Sequence, residues 1–368
     1  MSISINAAVG EGKGKPFRIA ELELDEPAAD EILVRIVAVG FCHTDLAARE
    51  GEIAIETPVV LGHEGVGVVE RAGSAISTVV AGDHVVLTYD SCGVCPNCSA
   101  GHSAYCYDFS RMNFACRRAD GSTGLHAGSD SVFRGFFGQS SFATYAISHE
   151  RNTVKVSKDL PLERLAPLGC GVQTGAGTVM NALAPKPGSS IAIVGSGTVG
   201  LSALLGAVLS QCETIVAVDV LASRLEIARK LGATHVIDGS KGGPLNEHLR
   251  AIRPAGFTHI VDTTARPELL AAAVLALAPA GELAIVGVPQ TDCDLHANML
   301  AVMTQGLSIR GVVEGDGVPA DFIPRLAALH MEGRLPFDRF VGTYDFAKIN
   351  DAVADQAAGR VVKPVLLL

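Results

Sequence analysis

The chain has 368 residues, 48% of them hydrophobic, and a net charge of −10. That is enough for two domains, each with its own core. The acidic balance argues against a nucleic-acid binder, which carries a basic stripe, and no uncharged apolar run is long enough to span a bilayer.

The segment Met1–Phe17 lacks a charged region followed by an apolar run, so no signal peptide is expected and the expected location is cytoplasmic. In that compartment nine cysteines read as metal ligands or buried thiols rather than disulfides. The first part of the chain reads as strand-rich. Ile32–Val39, Gly65–Glu70 and His84–Tyr89 are short, β-branched and apolar, with turn signals such as Ala81-Gly82-Asp83 between them. Cys106–Gly138 reads as a long polar loop, and Phe142–Ile147 resumes as strand. After Pro187-Gly188 apolar strands alternate with helices. The strands are Ile191–Val194, Thr214–Val218, His235–Ile237, Thr258–Val261, Leu283–Val286 and Leu307–Gly311, with helices such as Ala222–Leu231 and Glu268–Leu277 between them. Six strands in this alternation predict a doubly wound parallel sheet. Beyond Gly315 come a helix (Asp321–Met331), a strand (Phe340–Gly342), a helix (Phe346–Ala358) and a strand (Val361–Leu367). This tail is expected to return to the first domain.

Four cysteines, Cys92, Cys95, Cys98 and Cys106, read C-x2-C-x2-C-x7-C. That spacing lets one lobe wrap a tetrahedral ion with four thiolates, the closed form of a structural zinc site. Further on, Ile191–Val194 runs directly into Gly195-Ser196-Gly197-Thr198-Val199-Gly200, and Asp219 ends the next strand. Gly195 permits the tight turn, Gly197 lets a pyrophosphate approach the helix N-terminus, and Gly200 lets helix and strand pack closely. Asp219 can accept hydrogen bonds from ribose hydroxyls and would repel a 2′-phosphate, which favours NAD over NADP. Arg224, at the start of the following helix, could reach the ribose or adenine edge, or could simply be a solvated helix residue.

Three further candidates are dispersed: Cys42 in Cys42-His43-Thr44-Asp45, His63 in Gly62-His63-Glu64-Gly65, and Cys170 in Gly169-Cys170-Gly171-Val172-Gln173-Thr174-Gly175. Each alone reads as a buried small hydrophobe or a core histidine. Together they form a two-cysteine, one-histidine set that leaves one position of a tetrahedral zinc open. With these motifs the chain resembles the zinc-dependent medium-chain alcohol dehydrogenases over nearly its whole length.

The resemblance implies a GroES-like β-rich catalytic domain (residues 1–171 and 315–368) and a Rossmann NAD-binding domain (172–314) with a six-stranded parallel sheet. It implies two zinc ions per chain. Cys42, His63 and Cys170 would hold the catalytic one, which makes an alcohol hydroxyl acidic, and the carbon then gives hydride to the nicotinamide. Thr44 would hydrogen-bond the substrate oxygen and pass its proton toward the ribose. His43 would face the pyrophosphate. Asp45 would fix the His63 tautomer, and Glu64 would stand behind the ion. Lys363 would contact the pyrophosphate or Glu64. Thr174, Val199, Val286, Val312 and Glu314 fall where relatives pack or hydrogen-bond the nicotinamide, and Val288 lies among them. Many relatives carry a histidine three residues after the hydroxyl residue; here that position is Ala47, so a proton relay ends at the ribose or uses water or another base.

The segment Phe136-Phe137-Gly138-Gln139-Ser140-Ser141-Phe142 lies where relatives line the alcohol pocket. Phe136 and Phe137, with Val288 and Val313, imply an apolar, aromatic-lined site, although aromatic residues also dominate cores. The segment is similar to aryl-alcohol dehydrogenases of the benzyl-alcohol type and to enzymes of allylic terpene alcohols. The expectation is a primary aryl or allylic alcohol or its aldehyde as substrate, and a homodimer or homotetramer with neither nucleic acid nor membrane as partner. A thiol-adduct aldehyde dehydrogenase of the same superfamily is the nearest alternative. Zinc-free quinone or enoyl reductases lack the cysteine lobe, and a structural protein that merely keeps NAD would not need Cys42, His63, Cys170 and Thr44.

Overall fold

The computed structural model describes residues 2–289 and 293–368. They form two compact units: Met1–Cys170 with Gly317–Glu332 and Val341–Leu368, and Gly171–Asp316 with Gly333–Phe340.

The first unit is built on two sheets. One runs Val59–Val60, Ser2–Gly10, Arg18–Asp25, Leu125–Ala127, Asp130–Ser131. Arg18–Asp25 alternates as a half-buried strand should: Leu22 and Leu24 are buried while Glu21 and Glu23 are exposed. The other sheet runs Thr153–Val156, His84–Leu87, Gly65–Ala72, Ile32–Gly40, Lys363–Leu367, Val341–Asp345, with Tyr145–Ser148 also paired to Ile32–Gly40. Ile32–Gly40 is apolar nearly throughout and mostly buried, as befits a strand bonded on both sides. The C-terminal strand lies antiparallel to it, with Val365 opposite Gly40. This register brings Lys363 to the end of Ile32–Gly40, where the metal-ligand motifs converge. The Phe41 and Phe142 rings stack at 5.9 Å, and Phe17 meets both edge-on.

The second unit carries six described parallel strands in the order His235–Asp238, Thr214–Asp219, Ser190–Val194, Phe257–Asp262, Leu277–Ile285, Ser308–Gly311. Numbered along the chain this is 3-2-1-4-5-6, the doubly wound order whose two halves meet at the first strand. Ser190–Val194 is buried at every position, as a strand covered on both faces must be. The helix Thr198–Leu209 is apolar nearly all round and buried from Gly200 to Ala207. The helix Ala222–Leu231 stops at Gly232, whose φ of 113° is open to glycine at little cost. No helix among the described residues is long and apolar enough to cross a membrane.

Two expectations need correction. Cys106–Gly138 is not loop throughout: Phe109–Phe114 is helical, and Leu125–Ala127 pairs with Asp130–Ser131. So short a helix is carried by tertiary packing rather than propensity. Phe109 and Phe114 both meet the Phe137 ring, and the buried Asn113 side chain bonds Asp90 on both its backbone N–H and its carbonyl. The tail, likewise, does not return as one piece. Gly333–Phe340 joins the second unit, because Leu335 and Phe337 are fully buried there and the turn Phe337–Phe340 packs on the helix Thr198–Leu209.

Candidate functional site

Cys42 is the N-cap of the helix His43–Arg49, which begins where the strand Ile32–Gly40 ends. Asp45, at the third position of that helix, accepts the Cys42 N–H at 2.9 Å through Oδ2, the usual work of an N-terminal carboxylate. Its other oxygen reaches across the chain, accepting the Gly62 N–H at 3.0 Å and meeting His63 Nδ1 at 2.9 Å. Asp45 and His63 are both fully buried. One carboxylate therefore fixes the cysteine's backbone and the histidine's ring together, and it commits Nδ1 to the proton.

Glycines in the motifs permit the approach. Gly62 has φ of +90°, and a Cβ there would stand 2.5 Å from Phe142 N. A Cβ on Gly169, next to Cys170, would be 2.4 Å from the Leu87 carbonyl oxygen. The Gly169 carbonyl accepts the Thr88 hydroxyl at 2.7 Å. Cys42, His63, Glu64 and Cys170 are thereby gathered so that one ligand atom from each lies within 4.8 Å of the others. His63 Nε2 is buried with no hydrogen-bond partner. Such an atom is costly in a protein interior unless something else binds it.

The electrostatics are concentrated. The Cys42 thiol is held well below its usual range, chiefly by the Cys170 thiol donating to it, against burial, with help from His63 and Lys363. Burial pulls His63 down, yet the Asp45 carboxylate outweighs it and the ring ends more basic than usual. Burial pushes Glu64 up to about 7, against the pull of Lys363. Lys363 Nζ lies 2.5 Å from Glu64 Oε2 and donates to the Phe41 carbonyl at 3.1 Å. Lys363 is 1% exposed. Of the two contacts expected for Lys363, the structure shows the one with Glu64, and the ammonium also bonds the Phe41 carbonyl inside the unit. A Cβ on Gly40 would stand 1.9 Å from Glu64 Oε2, so this position must be glycine for the pair to form. The Cys42 sulfur, held toward thiolate, and the buried carboxyl groups of Asp45 and Glu64 are gathered in one interior site, and a divalent cation is the group that offsets such a cluster. Thiolate, thiolate and imidazole are a zinc donor set.

Thr44 Oγ1 lies 3.7 Å from Cys42 Sγ. His43 is exposed on the first turn of the same helix, and Ala47 is buried one turn on. Phe137 stacks on the His63 imidazole, with centroids 4.5 Å apart, and Phe136 meets it edge-on at 5.6 Å. Phe136 is fully buried between His63, Phe114 and Phe137. It is core behind the histidine rather than a pocket wall, because its ring has no open face. Sequence reasoning misses Gln139. Its amide donates to the carbonyls of His63 and Thr88 and accepts from Gly65 N–H and the Ser141 hydroxyl, so it sets the backbone on both sides of Glu64, directly after His63. The only sequence signal is a polar amide set in an otherwise small and aromatic run.

In the cysteine lobe the ligand atoms of Cys92, Cys95, Cys98 and Cys106 also lie within 4.8 Å of one another. Backbone N–H groups aim at the sulfurs: Cys95 N at Cys92 Sγ, Cys98 N at Cys95 Sγ, and Cys92 N and Asp108 N at Cys106 Sγ, over 3.2–3.5 Å. Donors from Tyr107 and Cys98 bring the Cys95 thiol down to about 6, whereas burial pushes Cys98 up to about 12. The N–H donors favour the thiolate at Cys92 and Cys95, whereas burial opposes it at Cys98 and Cys106.

In the second unit the fingerprint opens the helix Thr198–Leu209. Gly195 has φ of +93°, and a Cβ there would be 2.3 Å from Thr263 Oγ1. A Cβ on Gly200 would be 1.8 Å from the Gly195 oxygen, while one on Gly197 would meet nothing within 4 Å. The helix N-terminus thus has open space at Gly197, the position where a pyrophosphate fits. Asp219 Oδ2 accepts Ser196 N–H at 2.7 Å and Oδ1 accepts Leu221 N–H at 2.9 Å. Arg224 Nη1 lies 3.8 Å from Asp219 Oδ2. Val199 is half-buried on the first helical turn, and Val286 is half-buried beyond the strand Leu277–Ile285. Val312 is buried with its N–H bonded to the Ile285 carbonyl. Val288 and Val313 are exposed. Thr174 and Glu314, both buried, meet through their side chains at 3.3 Å.

Residues 28–158 match the alcohol dehydrogenase GroES-like domain, and residues 198–330 match the zinc-binding dehydrogenase family. The chain belongs to the zinc-dependent medium-chain alcohol dehydrogenases. A geraniol dehydrogenase of Castellaniella defragrans is 43% identical over 366 residues, covering 99% of this chain and 98% of the relative. The crystal structure of an alcohol dehydrogenase zinc-binding domain protein from Burkholderia ambifaria superposes with a TM-score of 0.97 at 46% identity, covering 100% of both chains. That of a benzyl alcohol dehydrogenase from Acinetobacter calcoaceticus gives 0.96 at 44% identity, covering 100% of this chain and 99% of the other. In this family the first unit is the GroES-like domain and the six-stranded sheet is the Rossmann-type domain.

Proposed function

We propose that this alcohol dehydrogenase uses NAD and zinc to interconvert primary aryl or allylic alcohols and their aldehydes. The observation that carries the metal is the gathering of Cys42, His63 and Cys170 around a buried imidazole nitrogen that has no hydrogen-bond partner. Cys42, His63 and Cys170 would hold a zinc ion, which would supply the Lewis acidity that makes an alcohol hydroxyl acidic, and NAD would supply the hydride acceptor. The remaining work falls to the chain. Asp45 holds His63 in one tautomer, with Nδ1 protonated and Nε2 bare. Thr44 is the hydroxyl placed to take and pass the substrate proton. Phe137, buried and stacked on His63, makes the surroundings of the ion apolar and aromatic. We assign the first unit as catalytic and the second as the dinucleotide-binding domain, with the lobe of Cys92, Cys95, Cys98 and Cys106 holding a second, structural zinc.

Asp219 supports NAD. Each of its oxygens accepts one backbone N–H and keeps a lone pair for a ribose hydroxyl, and the carboxylate opposes a 2′-phosphate. Geraniol and benzyl alcohol, named for two relatives, share a carbinol carbon beside a π system, and this supports the substrate class. Met299, Leu300 and Met303 are exposed on the helix before the edge strand Ser308–Gly311, which supports a homodimer or homotetramer. The test is an initial-rate panel on the zinc-loaded protein. Benzyl alcohol, cinnamyl alcohol and geraniol with NAD should give a kcat/KM at least about tenfold above ethanol or above the same alcohols with NADP. Ethanol equal to benzyl alcohol would reject the substrate class, and NADP equal to NAD would reject the cofactor.

A further inference from the structure

Two fully buried polar side chains, Thr88 and Gln139, lie behind the metal-ligand residues and take no part in the chemistry described above. Gln139 uses every position its amide has. Nε2 donates to the carbonyls of His63 at 2.9 Å and Thr88 at 3.0 Å, and Oε1 accepts the Gly65 N–H at 3.1 Å and the Ser141 hydroxyl at 2.9 Å. The Thr88 hydroxyl extends the chain of bonds, donating at 2.7 Å to the carbonyl of Gly169, the residue before Cys170. One amide and one hydroxyl therefore tie together three stretches of backbone: Thr88, His63–Gly65 and Gly169–Cys170. These stretches meet with no room for a side chain between them. A Cβ on Gly169 would be 3.2 Å from Glu64 Cα, and one on Gly65 would be 2.6 Å from Ser141 Cβ.

The segment that presents Gln139 is strained. Phe137 and Ser140 have φ of 53° and 55°. Non-glycine residues persist in this left-handed region when their surroundings hold them, and they collect at working sites. Here the holding is done by two side chains. The Ser140 hydroxyl donates to the Val60 carbonyl at 2.5 Å and accepts the N–H groups of Gly135 and Phe136 at 2.8 and 3.0 Å. The Asn152 amide donates to the carbonyls of Phe137 and Gly138 at 3.2 and 3.1 Å, while the Asn152 carbonyl accepts the Thr88 N–H at 3.0 Å. A core position that needs only filling is met by an apolar side chain, which has no polar atoms to satisfy. A saturated amide on a strained backbone is a costlier solution, and its partners say what it does: they flank the residues that carry the metal ligands.

His63 and Cys170 come from distant parts of the chain, and a metal binds tightly only where such ligands are held at the right separation. Groups that orient the ligands govern affinity nearly as strongly as the ligands do. Resting on the zinc reading above, we propose that Gln139 and Thr88 are positioning residues for the metal site: they fix the His63 and Cys170 backbones at one separation so that both side chains meet a single ion. Neither residue is a ligand, and both act through the carbonyls and N–H groups they bind.

Zinc titration of the full-length chain against a chromophoric chelator tests this, with the zinc-free protein melted separately to read folding. Thr88→Val removes the hydroxyl at nearly constant volume. It should weaken zinc about tenfold at one of the two sites and leave the four-cysteine lobe within about twofold. Thr88→Ser keeps the donor and should restore the affinity. Gln139→Met should weaken the same site by a larger factor, and Thr88→Val decides if Gln139→Met fails to fold. Cobalt loaded into that site reports ligand geometry: its visible bands should shift in Thr88→Val and Gln139→Met and not in Thr88→Ser. A lower melting temperature with zinc affinity and cobalt bands both unchanged would overturn the positioning role, because that is what a merely structural pair would give. A wild-type chain that binds zinc in the lobe alone would overturn the zinc reading itself.

Discussion

Asp45→Asn changes one atom and almost no volume, and its effect follows from three hydrogen bonds. Oδ1 of Asp45 serves Gly62 N and His63 Nδ1, and Oδ2 serves Cys42 N. An asparagine keeps only one acceptor oxygen. With that oxygen toward His63, the new NH2 faces the Cys42 N–H in a fully buried site, two donors nose to nose. The unmade bond costs about 1–3 kcal/mol of stability. The imidazole loses the buried anion that raises its basicity, and removal of such an outer partner lowers metal affinity about 10–100-fold, or ~1.4–2.7 kcal/mol. Competition with a chromophoric chelator gives the zinc affinity, and thermal melting of the zinc-free protein gives the stability change separately. Only one of the two zinc affinities should move, because Asp45 bonds Cys42 and His63 and takes no part in the four-cysteine lobe. Zinc affinities within twofold of wild type at both sites would refute the role given to Asp45.

Replacing Cys98 by Ser should remove one zinc per chain, counted by atomic emission, and lower the melting temperature, since a structural site contributes directly to folding. An unchanged zinc count would reject the lobe as a metal site. Asp219→Ala removes the carboxylate opposed to a 2′-phosphate and should narrow the preference for NAD by about tenfold or more in the ratio of kcat/KM values; an unmoved ratio would assign cofactor choice elsewhere. Glu31, nearly fully buried, pairs with Arg118 and Arg134. Burial opposes its ionisation, yet the Arg118 and Arg134 guanidiniums and the Ala28 N–H bring its pKa down from the usual 4.5 to about 2. A folded-state pKa below the unfolded one gives stability that is complete above about pH 5 and is lost as pH falls toward 2. Melting temperatures of Glu31→Gln should therefore converge on wild type across that window; a gap that stays constant from pH 6 to pH 3 would contradict the pairing.

The local signals in the sequence are legible where one residue type has one physical reason to be there. The strand–glycine–helix transition at Ile191–Gly200 and the parallel alternation after it follow from periodicity and backbone sterics, and the sheet order agrees. The alternation of Arg18–Asp25 is readable in the same way. The helix Phe109–Phe114 is not, because its stability comes from rings and an asparagine bonded to distant partners. Lys363 has an exposed residue's composition and a buried residue's place, which only its pairing with Glu64 and the opposing strand register explain. Gln139 is silent for the same reason, since four partners spread over the unit define its role. Phe136 and Phe137, neighbours in one motif, are both buried in the core and both meet the His63 ring, one edge-on and the other stacked, which the motif alone does not tell. Metal-ligand chemistry survives reading from sequence better than pocket shape does, because donor type alone restricts the ion while pocket shape depends on which face of each ring is open.

The central claim is that Cys42, His63 and Cys170 share an ion. An anomalous difference map recorded at the zinc absorption edge, from crystals grown with zinc, tests it most directly. Two peaks per chain are predicted, one among the four lobe cysteines and one about 2.3 Å from the Cys42 and Cys170 sulfurs and about 2.0–2.1 Å from His63 Nε2. A single peak confined to the lobe, with His63 Nε2 bonded to a protein group or water instead, would contradict the account.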